Sequence, residues 1–176
     1  MEKENRKDKV LTNKHPTRIC RAFTLAEVLV AMILVGLAIV SLLASSRALT
    51  QVNSAAVNLT TAEFLIDQVQ ELTTPLDVVD PQSTTAVFGP EPGESLSSYD
   101  DVDDFDGASF CPPINADRQQ LTDFGAYTQQ ITVENVNETD FEVVVDDHTT
   151  PFVRITVRVF LQGEQLDSRQ WLRARY

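Results

Sequence analysis

Phe23-Thr24-Leu25-Ala26-Glu27-Val28-Leu29-Val30-Ala31-Met32-Ile33-Leu34-Val35-Gly36-Leu37-Ala38-Ile39-Val40-Ser41-Leu42-Leu43-Ala44 is the stretch that decides the fold. It holds 22 residues and a single charge, Glu27. As a helix rising about 1.5 Å per residue it reaches roughly 33 Å, enough for a bilayer hydrocarbon core of about 30 Å. No proline occurs between Phe23 and Thr74, and Gly36 is the only glycine there, so nothing forces the helix to stop at Ala44. Beyond Arg47 the apolar positions narrow to one stripe. Leu49, Val52, Ala56 and Leu59 are three or four residues apart, and Ala62, Leu65, Val69 and Leu72 continue them. The pattern predicts one helix from about 24 to 73, apolar all round in its first half and one-sided in its second, ended by Pro75. Two helices broken near Ser45-Ser46 are the alternative.

Working outward, residues 1–22 carry Lys3, Arg6, Lys7, Lys9, Lys14, Arg18 and Arg21 against Glu2, Glu4 and Asp8. That is a net +4, and no lysine occurs after residue 14. The rest of the chain is net −16, and the 176 residues together are −12. A short basic head before an apolar span reads as a targeting segment. By the positive-inside rule the head stays in the cytoplasm and everything beyond Arg47 lies on the other side. The acidic remainder argues against nucleic acid as a partner, since phosphate binding requires clustered Lys and Arg. Two cysteines and two histidines exclude a disulfide-stapled scaffold and a histidine-rich metal centre. No phosphate loop, nucleophile elbow or metal-spaced His/Cys set is present, and we expect no enzyme.

Residues 74–125, with Pro75, Pro81, Gly89, Pro90, Pro92, Gly93, Pro112 and Pro113, read as an acidic connecting loop region. The last third, 126–176, changes to Val, Ile, Thr and aromatics. Tyr127–Val136, Phe141–Asp146, Phe152–Leu161 and Leu166–Ala174 are predicted strands. The alternation is clearest in Val153, Ile155, Val157, Val159 and Leu161 against Arg154, Thr156 and Arg158. Gln162-Gly163-Glu164-Gln165 suits a hairpin link. The fold class is therefore α+β: a long N-terminal helix, with a membrane-spanning first half (23–46) and an amphipathic second half (47–73), packed on an antiparallel sheet of about four strands. The striped half is the natural cover for the sheet.

Arg21-Ala22-Phe23-Thr24-Leu25-Ala26-Glu27, between a basic leader and an apolar run, closely resembles the prepilin-type cleavage and methylation motif of type IV pilins and type II secretion pseudopilins. The resemblance is strict over about residues 18–46. It implies that a dedicated prepilin peptidase cuts between Ala22 and Phe23, that the new amino group of Phe23 is methylated, and that Thr24, Leu25 and Glu27 are the motif positions that follow. Gly36 stands where many pilins carry a glycine. Ala22 stands where the family usually has glycine, and Ala44 where major pilins often have proline, which fits a minor pilin or pseudopilin. Other pilins or pseudopilins, the peptidase, a membrane assembly platform and, before assembly, the lipid bilayer are the implied partners. The implied location is the bacterial inner membrane, single-pass, with the C-terminal domain periplasmic or extracellular, and the pilus or pseudopilus after assembly. Cys20 would leave with the leader, so Cys111 would be the one cysteine of the mature chain.

An acid within a membrane helix costs a few kcal/mol and needs a partner. The anchor holds no base, and a neighbouring subunit's Phe23 amine reaching Glu27 would set the axial register of a filament. Snorkelling of Glu27 to the headgroups is the plainer explanation. The competing reading of the whole segment is a general secretory signal cut after Ala44-Ser45-Ser46, or an uncleaved signal anchor, delivering an exported β-rich binding domain.

The second notable stretch is Asp100-Asp101-Val102-Asp103-Asp104-Phe105-Asp106-Gly107. Thirteen acids and no base occur between Arg47 and Arg118. Asp100, Asp101, Asp103, Asp104 and Asp106 can gather oxygen ligands for Ca2+. The EF-hand spacing does not fit, because Gly107 as the loop glycine puts Val102 and Pro113 at ligand positions. A solvated acidic turn is the alternative. No other cofactor is expected. Cys111 reads as a buried free thiol, with pairing between subunits as the other possibility, and His148 as an exposed turn residue. Arg169, Trp171, Arg173 and Arg175 form either a stripe for a neighbouring subunit or edge-strand charge that discourages aggregation.

Overall fold

The computed structural model describes residues 22–79 and 87–175. The predicted leader, apart from Ala22, lies outside the described residues. The chain divides between Ala48 and Leu49 into two compact units. Helix α1, Leu25–Thr73, is continuous over 49 residues with no break at Ser45-Ser46. In the first unit its large apolar side chains, from Leu25 (81 %) to Leu43 (57 %), are exposed. Among the described residues this is the one helix long and apolar enough to cross a membrane.

The second unit is α1 from Leu49 onward, the following loops and an antiparallel sheet of order β1-β2-β3-β4. The strands are β1 (Ser109–Phe110), β2 (Tyr127–Asn135), β3 (Phe152–Leu161) and β4 (Glu164–Ala174). Ladder partners share a face, so the pairing Val133↔Ile155 and Ile155↔Trp171 assigns one side of the sheet. That side carries Gln129, Ile131, Val133 and Asn135 from β2, Val153, Ile155, Val157 and Val159 from β3, and Arg169, Trp171 and Arg173 from β4. It forms one core with Ala62, Leu65, Ile66, Val69 and Leu72 of α1 and with Val78, Val102, Phe105 and Ile114 of the connecting segment. The other side is polar, where Arg154 pairs with Glu134 across the strands at 2.9 Å.

The helical stripe covers the sheet only from Ala62 on. Leu49, Val52 and Leu59 stay 45–64 % exposed, and Asn58 is where the Tyr127 hydroxyl reaches the helix, donating to its side-chain carbonyl at 3.2 Å. The strand inventory also differs from the expected one. Phe141–Asp146 contributes a single bridge, Val136↔Val144, because its backbone is taken up by local turns. Asn137 Oδ1 accepts from Thr139 and Asp140, and the Val143 N–H donates to the Asp140 carbonyl. The fourth strand is instead Ser109–Phe110, two residues inside the segment read as loop and too short for any period to reveal. The hairpin between β3 and β4 is tighter than the expected four residues. Glu164 and Gln165 already pair with Leu161 and Phe160, and Gln162 and Gly163 turn the chain at φ 52° and 89°, the left-handed pair of a two-residue hairpin loop.

The arginines of β4 serve their own chain. Arg173 donates to the carbonyls of Thr73, Thr74 and Leu76 at 2.7, 3.0 and 2.9 Å. These are carbonyls at the end of α1, whose last turn has no basic residue of its own. The guanidinium therefore satisfies open acceptors and opposes the negative end of the helix dipole. Arg169 pairs with Asp67 and donates to Gln70 at 3.2 Å. Both side chains thus have partners within their own chain, and β4, which carries them, is an edge strand of the sheet.

Candidate functional site

A lone acid, Glu27, in the first unit and a cluster of acids in the second carry the candidate chemistry. At the start of α1, Ala22, Phe23 and Thr24 lie outside the helix, and Phe23 is 83 % exposed. Thr24 and Glu27 cap the first turn reciprocally. Glu27 Oε2 accepts from the Thr24 N–H at 3.1 Å and from its hydroxyl at 3.2 Å, while the Glu27 N–H donates to Thr24 Oγ1 at 3.2 Å. This is a capping box, a threonine followed three residues later by a glutamate. It was readable in Thr24-Leu25-Ala26-Glu27, although the lone acid drew attention first. Glu27 thus has partners within its own chain and stands where a negative charge favours the helix dipole. Leu25 opens the helix.

The second group lies between α1 and β2. Val102 and Phe105 are fully buried, and between and beside them Asp101, Asp103 and Asp104 are each only 1 % exposed. The reading of a solvated turn is therefore corrected for these three. Apolar residues at 102 and 105 insert into the core and draw the acids in with them. The segment is fixed from several sides. The Val102 N–H donates to the Asp77 carbonyl at 2.9 Å. Asp103–Phe105 forms a single 3-10 turn. Asp104 Oδ2 accepts from the N–H groups of Asp100 and Asp101 at 2.9 and 3.4 Å, and Asp101 Oδ1 from that of Asp104 at 3.1 Å. Arg118, at φ 63°, donates to the carbonyls of Leu96 and Tyr99 at 3.1 and 2.6 Å.

These bonds leave oxygens over. Asp101 Oδ2, both carboxylate oxygens of Asp103, Asp104 Oδ1 and Glu91 Oε1 are buried without a hydrogen-bond partner. Burial, then the neighbouring Asp101, Asp104 and Glu91 carboxylates, push Asp103 up to about 10. Burial and Asp101 push Asp104 up to about 7 against the pull of two backbone N–H groups. Burial and Glu94 also raise Glu91. His148 Nε2 stands 4.0 Å from Asp103 Oδ2, and its ring meets Phe88 edge-on at 5.5 Å. His148 is in a turn, as expected, but its side chain faces this group and not bulk solvent alone.

Of the five aspartates read as ligands, Asp100, Asp101 and Asp104 bring carboxylate oxygens within 4.8 Å of one another. Asp103 is adjacent to them. Asp106 is used elsewhere, accepting the Val133 N–H at 2.9 Å. Glu91 and Glu94 complete a second triad with Asp104 inside the same limit. The sequence reading passed over them because they sit in a proline-flanked turn, Pro90-Glu91-Pro92-Gly93-Glu94, upstream of the aspartate run. Gln129 was also missed. It is fully buried on a strand, accepts the Ile114 N–H at 2.7 Å and donates to the carbonyls of Leu65 and Ile114 at 2.8 and 3.1 Å. It thereby ties helix, loop and sheet together. Cys111 is free but exposed, contrary to the expected burial. Comparison with family models, curated proteins and solved structures finds no match to this chain.

Proposed function

We propose that the chain is a structural subunit, a minor pilin or pseudopilin, of a type IV pilus or type II secretion-like filament. The observation that carries this reading is the first half of α1, apolar on every side and exposed throughout, opened by Phe23-Thr24-Leu25-Ala26-Glu27 and preceded by a basic segment. A surface apolar all round has no solvent-facing side, so it needs lipid before assembly and sister helices after it. On this reading the inner membrane holds the chain by its basic leader with the β-sheet unit on the far side. A prepilin peptidase cuts Ala22 from Phe23, and a membrane platform moves the helix into the filament. Glu27 then sets register with the Phe23 amine of a neighbouring subunit. The partners are other pilins or pseudopilins, and nucleic acid is not among them.

Mass spectrometry of the mature protein from cells provides the test. The expected N-terminus is N-methylated Phe23. An intact leader, or an N-terminus at Arg47, would overturn the proposal in favour of a signal-anchored or exported binding domain. Glu27→Ala is expected to be cleaved yet fail to enter filaments, and normal incorporation would remove the register role.

A further inference from the structure

Glu91, Asp101, Asp103 and Asp104 present, among the described residues, a problem of unsatisfied carboxylate oxygens. Among the described residues, the ion pairs of Arg154 and Arg169 go to Glu134, Glu142 and Asp67, and His148 stands 4.0 Å from Asp103. Arg118 is close by in sequence, yet its guanidinium serves backbone carbonyls. A buried carboxylate oxygen with neither a hydrogen bond nor a counter-charge is costly, and here such oxygens come from four residues, Glu91, Asp101, Asp103 and Asp104. The geometry says what would satisfy them. Asp104 belongs to two triads, with Asp100 and Asp101 on one side and Glu91 and Glu94 on the other, and in each the ligand oxygens lie within 4.8 Å of one another. A shell of Ca–O bonds of about 2.4 Å spans that distance. Every donor is a carboxylate oxygen, the set preferred by a hard cation, and their irregular spacing along a looping chain suits the loose geometry of Ca2+ better than the strict octahedron of Mg2+. Backbone N–H groups hold Asp104 Oδ2 and Asp101 Oδ1, which aims the remaining oxygen of each carboxylate.

We propose that Asp104, together with Asp100 and Asp101 and with Glu91 and Glu94, holds a calcium-class divalent cation that locks the segment between α1 and β2 onto the core. Asp103 adjoins the ligands without belonging to either triad, and Asp106, which accepts the Val133 N–H, takes no part. The ligand set joins two stretches of loop, so the ion acts as a cross-link between the Glu91–Glu94 turn and the 3-10 turn at Asp103–Phe105. The site is independent of the filament reading and would exist equally in an exported binding domain.

The test uses the full chain in detergent micelles, stripped with chelator, with its thermal midpoint followed by near-ultraviolet circular dichroism. Millimolar CaCl2 is expected to raise the midpoint by roughly 8 °C, the scale of a ligand at a hundredfold its dissociation constant, while an equal ionic strength of NaCl does not. Asp104→Asn and Glu91→Gln should each lose most of that rise, and Asp104→Asn should melt without calcium no lower than the parent chain, because it removes a buried carboxylate crowded by other acids. No rise in the parent chain, or an undiminished rise in both variants, would overturn the site. Terbium provides a reading that does not depend on any ligand variant folding. Tyr99 adjoins the ligand Asp100 in the chain and its ring packs edge-on against Phe105 at 5.1 Å, so Tb3+ emission excited through tyrosine should appear, be displaced by Ca2+, and fall in Tyr99→Phe. Emission indifferent to Tyr99 would place the ion elsewhere and sink the assignment.

Discussion

Glu27 and the Asp101–Asp104 group are opposite cases of an acid out of its expected setting. Glu27 is one charge in an apolar stretch and looks like a liability, but two hydrogen bonds donated by Thr24 meet its carboxylate. The aspartates occupy the most acidic run of the chain and look at ease in water, but three of them are 1 % exposed with oxygens left over. The difference is one of range. A capping box is settled by a residue three positions away, whereas the burial of Asp103 and Asp104 is settled by Val102 and Phe105 finding a core made of distant strands. Local composition therefore misjudges both groups, in opposite directions.

The comparison can be broken most severely at Phe105. If its burial is what draws the acids in, Phe105→Ala should cost about 3–5 kcal/mol in the unfolding of the second unit, measured by chemical denaturation of the full chain in micelles. A cost under about 1 kcal/mol would mean that the aspartates are held by something else. Acidity gives a second handle. Asp103 is pushed up to about 10 and Asp104 to about 7, from 3.8 for a free carboxyl. Each keeps a proton in the folded state that the unfolded chain releases. The stability gained this way is complete below about pH 4 and is lost as pH rises through 7 and then 10. In chelator the thermal midpoint should accordingly fall between pH 5 and pH 9, and Asp103→Asn should flatten the decline. A midpoint that rises over this range would contradict the burial of uncompensated acid. The smallest effect is expected at the other pole. Thr24→Ala removes the cap, worth about 1 kcal/mol, so the first-turn amides of α1 should exchange roughly fivefold faster. Incorporation into filaments should survive this change and fail in Glu27→Ala, which separates the cap from the proposed register role.

What could be read from the chain followed from periodicity. The single helix, its end near Thr73 and the alternation of β3 rest on repeated apolar spacing, and these are the elements found. β1 has two residues and so no period, and Phe141–Asp146 has the composition of a strand but turn-forming neighbours that capture its backbone. The candidate cation site was half legible. The aspartate run marked its place, but Glu91 and Glu94 join it only through the folding back of a proline-flanked turn, and burial, the property that makes the group chemically unusual, is tertiary. Gln129 illustrates the same limit, because nothing about a glutamine in a strand announces that it will bridge Leu65 and Ile114.

The grip of Arg173 on the end of α1 also sets an order of events. The guanidinium and the Thr73 carbonyl are 100 residues apart in the chain, and Arg169 reaches back 102 residues to Asp67. Contacts of such span are slow to form, since the entropy of closing the intervening loop is lost before they contribute. During synthesis α1 is complete long before β4 exists. Until that strand arrives, the helix end lacks the donors that Arg173 brings to the Thr73 and Thr74 carbonyls. A chain interrupted before Arg169 would leave the end of α1 without the two arginines that hold it.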